Sequence, residues 1–164
     1  MTPATGATAL DLAEERARAA VGRVEHRSLG TVGAAASAEF ARAAGETAPH
    51  LVDPGHATFT VHPMYLVSLL RGAPGADADE FRPDGMYRDE VPGTDGLDVR
   101  LMAGGQDVRF RGRVLPGERV EVRRVLESVE RKGKGAGFLL LTVAKTYGTE
   151  RSELIEVTER FIVR

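Results

Sequence analysis

The sequence predicts an α+β domain: helix-forming segments fill its first half, a Pro-, Gly- and Asp-rich excursion interrupts the middle, and period-two alternation runs through the last third. Its 164 residues have the length of one ordinary domain, enough to bury a core without a disulfide or structural metal. A single domain over 1–164 is therefore expected.

The elements follow in order. Thr8 and Asp11 read as a capping box, and Leu10, Ala13, Ala17, Ala20 and Val21 recur on one face, which predicts a first helix over 9–21 stopped by Gly22. A short strand is expected from Ser28 to Ala35, after which Ser37 caps a second helix carrying Phe40, Ala41 and Ala44 inward. Gly45 stands where a left-handed C-terminal cap belongs. Met64 to Leu70 is apolar almost throughout, and Pro63 suits a first helical turn because its missing N–H costs nothing there. The composition from Gly72 to about residue 97 predicts a long irregular excursion, and loops of that length inside compact domains usually serve function.

Three alternating segments then predict strands near 106–115, 118–130 and 137–148, with a last strand near 153–163. Val108, Phe110, Gly112 and Val114 alternate with Asp107 and three arginines, and Pro116-Gly117 turns the chain. Phe138 to Tyr147 is apolar on both faces, as a central strand would be.

Composition narrows the function classes. The absence of cysteine excludes thiol catalysis, thiolate metal sites and disulfide staples, and fits a reducing cytoplasm. A formal charge of −2 with both signs interspersed offers no field for nucleic acid. No apolar run reaches the roughly 18 residues of a membrane span, and Met1 to Thr8 lacks a targeting pattern, so a soluble, cytoplasmic protein is expected. The four histidines (His26, His50, His56, His62) form no i,i+4 pair and predict no metal.

Three local motifs resemble the MaoC-like family of enoyl-thioester hydratases and 3-hydroxyacyl-thioester dehydratases. SAEFARAAGETAPHLVD at 37–53 is similar to the family's short helix leading into G-D-x-N-P-x-H-x-D. HPMYLVSLL at 62–70 resembles the H-G-M-x-x-x-S-L-L opening of its central helix, and QDVRFRGRVLPGERVEV at 106–122 resembles its R-F-x-x-P-V-x-P-G-D strand and turn. The resemblance implies a hotdog fold, in which a curved antiparallel sheet wraps a central helix. It also implies an acyl-CoA or acyl-carrier-protein thioester substrate, no cofactor, and a homodimer or a heterodimer with a second hotdog subunit. The aligned catalytic positions depart from the pattern: Glu46 stands for the Asp, Ala48 for the Asn and Leu51 for the His, while Pro63 replaces a glycine whose N–H would face the thioester oxygen.

Hydration of an enoyl thioester needs an acid and base for the α-proton and hydroxyl, and donors for the developing enolate oxygen. Glu46, His50 and His62 are the candidate catalytic residues, the first because it keeps a carboxylate at the aligned position. Asp53, Tyr65 and Arg109 are the candidate substrate contacts, although Asp53 before Pro54-Gly55 also suits a turn. A hydratase/dehydratase subunit is the leading reading. The alternatives are a catalytically silent acyl-binding partner, like the family's FAS1-like dehydratase N-terminal domains, and a divergent hotdog thioesterase or cyclase.

Overall fold

The structure is a computed structural model and describes residues 7–71 and 77–164. Helix α1, Ala9–Ala20, opens with the expected capping box and buries Leu10, Ala13 and Ala17. Strand β1 spans Val24–Thr31, four residues earlier than Ser28 to Ala35 suggests. Its polar sequence hides it from pattern reading, because as an edge strand it buries little and is held by pairing to β3.

Helix α2, Ala34–Ala43, starts after Gly33, so Ser37 is not its cap. Ser37 lies inside the helix with its N–H on the Gly33 carbonyl, and its hydroxyl is free for other work. A short helix α3, Pro49–Val52, follows, using proline at its first position. The expected helix over Met64 to Leu70 is present but shorter in α form: α4 covers Tyr65–Ser68 and tightens into a 3₁₀ turn over Leu69–Arg71.

Of the excursion, residues 72–76 lie outside the described residues. The remainder contains a 3₁₀ turn at Ala78–Glu80 and a bridge between Phe81 and Tyr87. Arg82 is buried there and donates to the carbonyls of Thr94 (3.0 Å) and Val99 (2.7 Å). Those bonds let one guanidinium stand in for the backbone ladder that an irregular segment lacks.

Four strands complete the sheet: β2 Leu101–Phe110, β3 Arg119–Lys132, β4 Phe138–Gly148 and β5 Glu153–Val163. Strand β2 begins five residues before the expected 106, because pairing with β5 extends from Leu101 opposite Val163 to Phe110 opposite Ile155. Gly104 and Gly105 obscure this stretch in the sequence. They permit a bulge in which a Cβ on Gly104 would sit 3.2 Å from the Arg160 carbonyl oxygen. The other three strands fall within two residues of expectation at each end. The antiparallel sheet has the order β1-β3-β4-β5-β2, with the meander β3-β4-β5 at its centre.

One face of the sheet carries the core, which is divided in two. Helix α1 with Val91 and Val99 covers Leu139, Leu141, Val143, Phe161 and Val163. Helix α4 with Val32, Val61 and Val114 covers Val120, Val122, Tyr147, Ile155 and Val157.

Between the two clusters runs a polar belt to which every strand contributes one residue. Glu25 of β1 pairs with Arg124 of β3 (3.3 Å), and Arg124 also donates to the carbonyl of Glu90 in the excursion. Lys145 of β4 reaches Glu90 Oε1 (3.0 Å) and Glu159 Oε2 of β5 (2.6 Å), and Gln106 of β2 donates to Glu159 Oε1 (3.1 Å). The Lys145–Glu159 approach is an ion-pair contact without hydrogen-bond alignment, since Oε2 accepts no hydrogen bond. Burial, then the carboxylates of Glu159 and Glu90, push the neighbouring Tyr147 phenol far up, so it stays neutral.

Candidate functional site

Two of the sequence-predicted residues meet. His62 Nε2 lies 3.6 Å from Glu46 Oε1, with the histidine side chain 13% exposed and the glutamate 41%. Both positions are set by helix α2. At its C-terminal end Gly45 has φ +85°, and the N–H groups of Gly45 and Glu46 donate to the carbonyls of Arg42 and Ala41 (both 3.0 Å). That is a Schellman motif, and it fixes where Glu46 leaves the helix.

His62 enters from the other side, at the start of the segment leading into α4. Its backbone N–H donates to Ser37 Oγ (3.1 Å), and the Met64 N–H donates to its Nδ1 (3.2 Å). An Nδ1 that accepts cannot carry the proton, so the neutral ring is the Nε2–H tautomer, with that hydrogen on the side of Glu46. The Phe40 ring stands edge-on to the imidazole at 5.1 Å.

Of the other candidates, Tyr65 adjoins His62, its backbone N–H donating to the His62 carbonyl (3.0 Å). The His50 ring is exposed, and its carbonyl accepts from the Thr60 N–H (2.8 Å). Asp53 Oδ1 accepts from Gly55 N–H (2.9 Å), an Asx turn at an exposed position. Tyr65 is buried in the α4 core beside Phe40, at a ring distance of 5.8 Å. Burial and the nearby Glu39 carboxylate push its phenol up. Arg109 is exposed on β2 opposite Glu156, whose carboxylate is lowered chiefly by a 2.8 Å hydrogen bond from Arg111, with Arg109 contributing least.

A narrow cleft beside His62 is lined by Val61, His62, Pro63, Leu66, Phe110, Arg113 and Ile155 among others, with a volume of about 20 Å³. That is room for about one water molecule. Arg113 was legible only as one of three alternating arginines. Among the described residues Arg111 holds Glu156, whereas Arg109 and Arg113 have no hydrogen-bond or ion-pair partner, and of those two it is Arg113 that lines the cleft. A wider cleft of about 400 Å³ opens at the β2 edge between Met86, Tyr87, Ala103, Gly105 and Phe161, with Glu90 and Glu159 on its wall.

Residues 19–157 match the family model described as FAS1-like, dehydratase domain region. No curated protein matches the chain. Among solved structures, the ChsH1–ChsH2 complex from Mycobacterium tuberculosis aligns at 18% identity and TM-score 0.63, covering 92% of this chain and 88% of that one. The HadBC (3R-hydroxyacyl-ACP dehydratase) complex from the same organism aligns at 18% identity and TM-score 0.54, covering 87% and 96%. The (R)-hydratase from A. caviae involved in PHA biosynthesis aligns at 22% and TM-score 0.57, covering 86% and 94%. At these identities the structural likeness establishes the shared fold.

Proposed function

The chain belongs to the FAS1-like dehydratase domain-region family of MaoC-like hotdog proteins, and on that premise we propose that it interconverts 3-hydroxyacyl and 2-enoyl thioesters using Glu46 and His62. The observation that carries the assignment is the approach of His62 Nε2 to Glu46 Oε1 at 3.6 Å, with His62 on the wall of a cleft. In dehydration the Glu46 carboxylate takes the proton from C2. The electron pair of that C–H bond forms the C2–C3 double bond, and the C3–O bond breaks as the hydroxyl receives the proton back from Glu46 and leaves as water. Hydration is the reverse. His62, neutral and holding its hydrogen on Nε2, donates to the thioester oxygen as enolate character develops, the same use of an un-ionised imidazole as an electrophile that other enzymes make. This supplies a donor where Pro63 has none.

Arg113, on the cleft wall, meets a phosphate of the coenzyme A or carrier-protein arm. The cleft of about 20 Å³ is too small for an acyl chain, which supports a second hotdog subunit forming the rest of the tunnel. The edge strand β2, with Phe110 55% exposed, is the surface offered for that pairing. Two of the neighbouring structures are complexes of two named chains, ChsH1 with ChsH2 and HadBC.

The test is turnover of a crotonyl thioester and a longer 2-enoyl thioester by wild type, Glu46→Gln and His62→Ala, with and without a second hotdog subunit. Each substitution is expected to lower kcat about 100-fold or more. Wild-type rates in both variants would overturn the assignment. Saturable thioester binding with no turnover in any form would favour a silent acyl-binding role.

A further inference from the structure

Helix α2 begins Ala34-Ala35-Ala36-Ser37-Ala38, and Ser37 is its one hydroxyl residue. Serine inside a helix is poorer than alanine because its oxygen competes for backbone groups. Here that oxygen is wholly buried yet engaged 25 positions along the chain, accepting the backbone N–H of His62 at 3.1 Å. That N–H has no helix or strand to pair with, since His62 precedes α4 and is followed by proline, which confines it to extended backbone. Without Ser37 it would be a part-buried orphan donor, at a cost comparable to a lost hydrogen bond.

We propose that Ser37 is a positioning residue that sets the tautomer and aim of the His62 imidazole, a reading that rests on the Glu46–His62 assignment above. The His62 N–H anchored on Ser37 fixes the turn through Pro63. That turn places the Met64 N–H 3.2 Å from Nδ1, which holds the hydrogen on Nε2. Phe40, one turn along α2 from Ser37 and on the same face, closes a further side of the ring at 5.1 Å. Nε2 is left as the open atom, facing the Glu46 that the end of the same helix delivers. One helix thus orients both members of the pair, Ser37 and Phe40 from its side and Gly45 from its end.

The experiment is ¹⁵N NMR of the histidine side chains in the full chain, for wild type, Ser37→Ala and Ser37→Thr, combined with steady-state turnover. Wild-type His62 is expected as the Nε2–H tautomer with a backbone amide protected from exchange. In Ser37→Ala the Nδ1–H form should gain population. Its kcat should fall about 10- to 100-fold, KM should change little, and Ser37→Thr, which keeps the oxygen, should recover most of the loss. A folded Ser37→Ala protein with the wild-type tautomer and kcat would overturn the proposal. So would a rapidly exchanging His62 amide in wild type, a readout that survives if Ser37→Ala fails to fold. Loss of the dyad assignment would look different: His62→Ala would turn over normally while Ser37→Ala still shifted the tautomer.

Discussion

Lys145 and Glu159 stand on adjacent strands with Nζ 2.6 Å from Oε2, in the polar belt between the two apolar clusters, where the lysine side chain is only 4% exposed. Removing one partner from such a pair leaves the other charge stranded. Lys145→Ala should therefore cost about 3–5 kcal/mol, read from denaturant unfolding. Lys145→Met combined with Glu90→Gln and Glu159→Gln should recover most of that, because no buried charge is left uncompensated. Near-wild-type stability of Lys145→Ala would show that the belt is solvated.

Gly45 has φ +85°, and a Cβ there would meet nothing within 4 Å. The cost of Gly45→Ala is thus conformational, about 1–2 kcal/mol. The larger consequence falls on Glu46, whose exit from α2 the Schellman motif sets. We expect kcat to drop about 10-fold with a small change in melting temperature, and Gly45→Asn to be milder, since asparagine tolerates the left-handed region. Unchanged kcat in both would mean that Glu46 finds its place by other means.

Helix α1 is latched by Arg131, which donates to Asp11 (2.7 Å) and Glu14 (2.8 Å). The Thr8 hydroxyl, then Arg131, lowers the Asp11 carboxyl from 3.8 to about 2, and Arg18, ahead of Arg131, lowers Glu14. A depressed folded-state value means that the stabilisation is present above the ordinary value and is lost as pH falls between 3.8 and about 2. Protection of the α1 amides, relative to their intrinsic exchange, should fall in that window, and Asp11→Asn should flatten the dependence. Protection that does not change with pH would remove the latch from the account.

Arg113→Ala should raise KM for a coenzyme A thioester about 10-fold and leave kcat nearly unchanged, the loss of one charge-assisted contact. The wild-type KM should rise with ionic strength and that of the variant should not. Equal salt dependence in both proteins would place the phosphate elsewhere.

The meander was legible because β3, β4 and β5 alternate under one covered face, and period two survives almost any context. β1 and the first half of β2 were not. The one is a polar edge strand, and the other is masked by Ala103-Gly104-Gly105, whose value is a bulge rather than a pattern. Of the proposed site, Glu46 and His62 could be singled out from a family pattern even though Glu46 and its neighbours depart from it. Their joint placement could not, because it depends on Ser37, whose hydroxyl at a helix start looks like a cap and instead reaches another segment. Lys145 did leave a signal, interrupting the inward series Leu139, Leu141, Val143 and Tyr147 at its own phase. Its partners Glu90 and Glu159 come from separate stretches, and no single window of sequence shows them together.

The belt also bears on which strand pairings the chain can adopt. Side chains in a strand change faces with every one-residue slip. Sliding β4 by one against its neighbours would turn Lys145 to the outer face and carry Ala144 or Thr146, both uncharged, in among Arg124, Glu90 and Glu159. For an all-apolar row the mis-set pairing would differ only in packing quality. Here it would also strand opposite charges out of reach of each other, so Glu25, Arg124, Lys145, Glu159 and Gln106 act as addresses, one per strand, that a shifted sheet cannot match.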